Sequence, residues 1–251
     1  MLLGFQYLYV KPMQQRLAQQ TPVATAPVTG TPNAPTVAAA DSLRDRAEVI
    51  KDSRRLPIVT PELKGSLNLK GARFDDMLLQ HYRETVDEHS PDVTLLSPSG
   101  AATHNNAYYA ELRWLSDAKI SVPTADTVWT TTDRELSPAH PAHLTWDNKA
   151  GLVFERTISV DDHFMFTVTD SVKNNSGAAV TLYPFGVVAR QIDTKMGDGH
   201  VKGSPVTMGS HTGFLGVING TLNEVTYKKL VDKSRITDKT TGAWFGVSDQ
   251  Y

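Results

Sequence analysis

Between residues 152 and 172 the chain alternates apolar and polar side chains with a period of two, a pattern that fits little except half-buried β-strand. Leu152, Phe154, Arg156, Ile158 and Val160 fall on one face, and Val153, Glu155, Thr157 and Ser159 on the other. After Asp161-Asp162 the pattern resumes, with Phe164, Phe166, Val168 and Val172 opposed by His163, Thr167, Thr169 and Ser171. Two such runs around a short acidic turn predict an antiparallel hairpin whose alternate apolar residues, Phe164 and Phe166 among them, enter the core.

The rest of the C-terminal part reads the same way. Asn174, Asn175, Ser176 and Gly177 make a loop before an apolar run at 180–188. Ile218-Asn219-Gly220-Thr221 is the strongest turn signal, because Asn-Gly accepts the positive φ of a type I′ hairpin between 214–217 and 222–227. Beyond the N-terminal region no sustained 3.6-residue stripe occurs, and Pro and Gly recur at short intervals. The expected fold is mainly β, one domain large enough to need two packed sheets.

The N-terminus differs. Residues 1–10 (MLLGFQYLYV) are apolar except for Gln6 and are followed by Lys11 and Pro12. Ten helical residues rise only about 15 Å, whereas a membrane span needs about 20 residues. The segment is therefore either the outer end of a transmembrane helix, a signal-peptide core or an amphipathic anchor. Residues 14–40 are rich in Gln, Thr, Pro, Val and Ala, with prolines at 22, 27, 32 and 35. They predict an extended linker of roughly 60 to 80 Å reach. Residues 41–55 are densely charged, with Ser42 as a possible N-cap, and further linker is preferred there to a short solvated helix.

Composition excludes several functions. The 25 basic and 27 acidic residues are scattered over 251 positions for a net charge of -2, so no footprint for nucleic acid exists. Without cysteine, a disulfide framework, a thiolate zinc site and a cysteine nucleophile are all ruled out. No phosphate loop, dinucleotide fingerprint, His-Glu-x-x-His or Gly-x-Ser-x-Gly is present. Gly209-Ser210-His211-Thr212-Gly213 has histidine where a nucleophile elbow has serine.

The eight histidines, His81, His89, His104, His140, His143, His163, His200 and His211, lack compact metal-ligand spacing, and the closest pair, His140 and His143, belongs on a surface loop. Residues 195–200 (KMGDGH) lack the regular oxygen spacing of a cation loop. The pairs Asp75-Asp76 and Asp161-Asp162 read as turn residues, because neighbours on a regular strand point to opposite faces unless the backbone bends. Trp114, Trp129, Trp146 and Trp244 are expected to be packed. No catalytic, cofactor or metal residue is singled out, and the partner-binding surface is not legible.

A resemblance runs through these strands. Leu63-Lys64-Gly65-Ser66-Leu67-Asn68-Leu69-Lys70-Gly71-Ala72-Arg73-Phe74-Asp75-Asp76, then His81-Tyr82-Arg83-Glu84-Thr85, then Leu95-Leu96-Ser97-Pro98 resemble, in order, the opening of the periplasmic domain of the YidC membrane protein insertase family. The likeness continues through Tyr108-Tyr109-Ala110-Glu111-Leu112-Arg113-Trp114, Leu144-Thr145-Trp146-Asp147-Asn148, the strand around Asp161-Asp162-His163, and Gly213-Phe214-Leu215-Gly216-Val217. It ends on Thr241-Gly242-Ala243-Trp244-Phe245-Gly246-Val247-Ser248-Asp249-Gln250-Tyr251. His211-Thr212-Gly213 departs from the family's usual His-Glu-Gly, and Gln250 stands for its Lys.

The resemblance implies a β-supersandwich of two large antiparallel sheets, like that of galactose mutarotases, with a short helical element near the C-terminus. It implies three regions: the end of a first transmembrane helix at 1–13, a linker at 14–56 and the periplasmic domain at 57–251. It further implies a non-enzymatic insertase part without cofactor, facing the periplasm at the bacterial inner membrane, held to the lipid bilayer by the N-terminal segment. Its partners would be Sec translocon subunits and nascent inner-membrane proteins, with the insertase core beyond this chain. The competing expectation, a carbohydrate-binding or mutarotase-like module, requires His143 or His163 to meet Glu111 or Glu155 in one cleft.

Overall fold

The computed structural model describes residues 43–102, 107–116, 119–191, 213–227, 229–230, 236 and 238–248. The N-terminal apolar segment, residues 14–40, Ser42, residues 195–200, and His104, His200 and His211 lie outside the described residues. Among the described residues the chain forms a short helix, α1 (Arg46–Val49), a 3-10 turn (Ile50–Asp52) and twelve strands, with Tyr227, Lys229 and Leu230 also helical. Part of the charged segment expected as linker is thus helical, and Asp45 rather than Ser42 caps it, accepting from the Ala47 amide at 2.7 Å.

The strands are β1 (Arg55–Val59), β2 (Leu63–Asn68), β3 (Arg73–Arg83), β4 (Asp92–Leu96), β5 (Tyr108–Ser116), β6 (Ala142–Asp147), β7 (Leu152–Val160), β8 (Phe166–Asn174), β9 (Leu182–Arg190), β10 (Gly213–Ile218), β11 (Thr221–Thr226) and β12 (Ala243–Ser248). All named pairings are antiparallel. The described strands fall into three sheets where the resemblance implied two: a six-stranded sheet ordered β1-β2-β3-β5-β9 with β4 also on β3, and two three-stranded sheets, β6-β7-β8 and β11-β10-β12.

The predicted hairpin is β7 with β8, in register from Leu152↔Asn174 to Val160↔Phe166. Its turn is wider than Asp161-Asp162 alone. The Asp161 amide donates to the Met165 carbonyl at 3.0 Å, and one Asp161 carboxylate oxygen accepts from the His163 and Met165 amides at 2.9 Å each. That capping pulls Phe164 into the turn, where it is 46% exposed, so its expected core position is wrong. Phe166 does pack inward, edge-on to Phe74 with centroids 5.2 Å apart. The second hairpin forms as expected, with Asn219 and Gly220 both at positive φ (52° and 76°) between β10 and β11.

The six-stranded sheet and β6-β7-β8 share one core. Leu56, Ile58, Leu63, Leu67, Met77 and Leu79 from the first meet Leu144, Leu152, Phe154, Ile158 and Val160 from the second. Each such burial contributes about 1.5 to 3 kcal/mol. Trp129 is fully buried, and Trp114 and Trp146 both pack on Phe154 at 5.8 and 5.6 Å. Trp244 departs from expectation: it lies on β12 with 54% of its surface exposed. Its neighbour Phe245 is the residue that turns toward the large sheet, its ring over Gly186 of β9.

One charged residue lies within this apolar layer. Arg156 takes an inward position of β7 and is 1% exposed. It donates to both carboxylate oxygens of Asp170 on β8 at 2.7 and 2.8 Å, and to the Leu112 carbonyl on β5 at 3.1 Å. Its guanidinium also stands 5.0 Å over the Trp129 ring. One side chain therefore links the two sheets by a hydrogen bond while neutralised by its own hairpin partner. Removing it leaves Asp170 uncompensated, so Arg156→Ala should lower stability to urea by about 3 to 5 kcal/mol, whereas Arg156→Met combined with Asp170→Leu should recover most of that. A single-variant loss below about 1 kcal/mol would show the pair to be dispensable.

Candidate functional site built on a buried charge network

The pairing of β2 with β3 slips between Gly65↔Met77 and Leu67↔Phe74. Ser66 consequently faces two residues, Asp75 and Asp76, which is a β-bulge. The bulge bends the strand and brings both carboxylates to the face turned away from the core. The expectation that this pair lies in a turn, with the side chains on opposite faces, is therefore corrected: both are in mid-strand, 2% exposed, and lie on one face opposite Ser66.

Ser66 is the centre. Its hydroxyl donates to Asp76 and accepts from Arg55 Nε at 2.7 Å. Arg55 also pairs with Asp75 and donates to the Ser66 carbonyl at 3.2 Å, and Asn68 donates to the second oxygen of Asp75 at 3.2 Å. Arg46 of α1 closes the cluster from above by pairing with Asp76. Beside it, Arg73 Nε donates to Glu111 of β5 at 3.2 Å, Arg113 donates to the other Glu111 oxygen, and Arg73 stacks 4.4 Å over the Tyr109 ring. Four guanidinium groups thus surround three buried carboxylates, the arrangement that makes burial of charge tolerable.

The backbone is fitted to this cluster. A Cβ on Gly65 would lie 2.0 Å from the Asp76 carbonyl oxygen, and one on Gly71, at φ +78°, would lie 2.8 Å from the Ala125 carbonyl oxygen. Only glycine allows the bulge at the first position. Burial holds the Asp75 carboxyl above the ordinary aspartate range; Arg55, Asn68 and Arg73 pull it the other way without cancelling the effect. Burial likewise raises the Tyr109 hydroxyl.

The other candidates do not assemble into a site. Asp161 is a turn cap, and the amides it accepts from hold its carboxyl below the ordinary range. His143 faces Asp133 at 3.3 Å, while His140 lies 3.0 Å from Ser137 and 3.4 Å from Glu135. Glu111 is engaged by arginines and Glu155 by Lys173 at 2.5 Å, so the histidine-carboxylate cleft of a mutarotase-like site is not built from these residues. Among the described residues no group of three or more histidine, aspartate or glutamate side chains is placed to hold a metal, and no helix is long and apolar enough to cross a membrane. The network is the feature that residue-by-residue reasoning missed, and its signal was the Gly-Ser opposite Asp-Asp.

These features define a layered antiparallel β domain whose buried ionic groups hold strands together. Residues 55–251 match the family model of the YidC periplasmic domain. The chain is 40% identical over 283 residues to the membrane protein insertase YidC of Methylorubrum extorquens, covering 100% of this chain and 44% of that protein. It is 42% identical over 237 residues to the insertase of Methylobacterium nodulans (90% and 37%) and 44% over 215 residues to that of Beijerinckia indica (82% and 33%). The chain belongs to the YidC periplasmic domain family, which places it in the periplasm at the bacterial inner membrane. It spans 44% or less of the length of these relatives.

Two stability predictions follow from the bulge. Gly65→Ala should cost about 2 to 3 kcal/mol in urea unfolding, because the three atoms that the new Cβ would meet are all backbone. For Asp75 the folded pKa is raised, so its contribution to stability is fully present below the unfolded value of about 3.9 and lost as pH rises through the folded one. Asp75→Asn should accordingly gain on the native chain in paired urea titrations between about pH 4 and pH 7. A difference independent of pH would sink that assignment.

Proposed function

We propose that this domain assists the insertion and folding of inner-membrane proteins, alone or with the Sec translocon, from the periplasmic side of the membrane. The observation that carries the reading is that the ordered motif shared with the YidC family is also the buried network that fixes β1, β2, β3 and β5, so sequence likeness and fold-determining geometry coincide. The partners on this reading are nascent inner-membrane proteins and Sec subunits, and the bilayer is reached through the N-terminal segment. On this reading residues 1–13 are the end of a transmembrane helix and the stretch after them a linker, whose expected last residues dock on the domain as α1 and the start of β1, with the insertase core beyond this chain.

The finer architecture belongs to the same proposal. A two-sheet supersandwich is supported by the single core shared between the six-stranded sheet and β6-β7-β8, and by the ring of Phe245 over Gly186, which sets β11-β10-β12 against the larger sheet. The helical geometry of Tyr227, Lys229 and Leu230 after β11 fits the short C-terminal helical element.

The absence of cysteine provides a direct test. A single cysteine placed at exposed Phe164 in the membrane-bound protein should react with a membrane-impermeant maleimide added to intact spheroplasts. The same position carrying a photo-crosslinker should capture Sec subunits or newly made membrane proteins during synthesis. Labelling only after lysis would overturn the periplasmic placement, and replacement of the domain in a relative without loss of growth or crosslinks would overturn the assisting role.

A further inference from the structure

The geometry points to α1 as a clasp, a segment that ties the chain entering the domain to the outer face of the large sheet and opens while the strands beneath stay folded. A four-residue helix does not persist unaided, since isolated helices shorter than about 12 residues are marginal. Its own internal pairs, Arg44 with Asp52 and Lys51 with Glu48, are exposed and add little. What holds it down is a short set of contacts with the sheet and the 98–102 loop.

Four contacts make up that set. Arg46 pairs with Asp76, and Val49 is buried, with 8% of its surface exposed. The Arg44 amide donates to the Gly100 carbonyl at 2.9 Å, and the Ala102 amide donates to the Arg44 carbonyl at 2.7 Å. Arg46 is committed through one end only, because its buried Nε has no partner. Asp76, by contrast, keeps the Ser66 hydroxyl when Arg46 leaves, and Asp75 keeps Arg55 and Asn68. The clasp therefore releases from a network that remains largely satisfied, which is the condition for local opening below the cost of global unfolding.

Opening would free residues 43–53 as extended chain, about 11 residues with a contour of at most roughly 40 Å, while the Arg54 carbonyl keeps the Leu69 amide. Where residues upstream act as the linker proposed above, the clasp sets how far the domain stands from its membrane anchor. That consequence rests on the linker reading; the opening itself does not.

Hydrogen exchange on the full chain separates the two. In the closed form the Val49 amide is bonded to the Asp45 carbonyl and the Ala102 amide to Arg44, whereas the amides of Trp129 and Leu136 are bonded to Leu69 and Pro57 around the core. Arg46→Met should speed exchange at Val49 and Ala102 by about tenfold or more, with Trp129 and Leu136 remaining far slower than either, and Arg46→Lys should restore part of the protection. In the unmodified chain, exchange at Val49 and Ala102 should depend less on added urea than exchange at Trp129, because less surface is exposed in the opening. Unchanged protection in Arg46→Met, or equal urea dependence at all four amides, would overturn the clasp. Neither measurement involves a membrane, so a failure of the linker reading would leave both results standing.

Discussion

The arrangement of the large sheet depends on one additional residue in β3. Opposite Ser66, the strand carries Asp75 and Asp76 where a regular ladder carries one residue. Without the bulge one carboxylate would enter the apolar layer among Leu67, Met77 and Leu79 with no cation in reach, at a cost that no single packing contact offsets. With it, both carboxylates leave by the outer face, where arginines from α1 and β1 meet them. The bulge in turn requires the backbone of β2 to approach β3 closely, and this explains why a glycine precedes Ser66.

Apolar burial and buried charge perform different tasks here. The leucines, isoleucines and aromatics of the shared core supply the driving force, but a layer of similar aliphatic side chains does not by itself distinguish one strand register from a neighbouring one two residues away. Arg73 with Glu111 and Arg156 with Asp170 each join two adjacent strands at one position, and Arg55 with Asp75 reaches from β1 across β2 to β3. A slip of two residues in β1, β3 or β7 would keep the apolar face inward and yet separate a buried cation from its anion. Breaking a buried pair costs more than forming it gains, so these pairs act chiefly against the wrong registers.

The sequence made the regular parts legible. Period-two alternation located β7 and β8, and the Asn-Gly pair located the β10-β11 turn. It failed wherever local polar chemistry overrode the period. Asp161 accepts two amides and so widens a turn that swallows Phe164. Asp75-Asp76 breaks alternation by one residue, and a pattern count treats that as a turn although the chain remains in a strand. Asp45 caps a helix too short to leave a stripe. Trp244 lies on β12, where burial does not alternate, and which of its residues is covered depends on the neighbouring sheet: Phe245, not Trp244, meets Gly186. The family resemblance was legible from ordered motifs alone, without revealing what the motifs do.

Their role bears on where partners bind. Ser66, Arg73, Asp75 and Asp76, the most distinctive residues of the opening motif, are all engaged with one another or with Arg46, Arg55 and Glu111, and the two aspartates are almost inaccessible. A partner protein cannot read a side chain that it cannot touch. The opening Gly-Ser and Asp-Asp motif therefore specifies the scaffold, whereas other residues of the resemblance, such as Tyr82 and Trp244, are exposed. This is the reverse of the situation in an enzyme, whose most distinctive residues converge on an open cleft. It also accounts for why the family was identifiable from sequence while the partner-binding surface was not: ordered motifs suffice for the first, and the second depends on which exposed groups a partner touches.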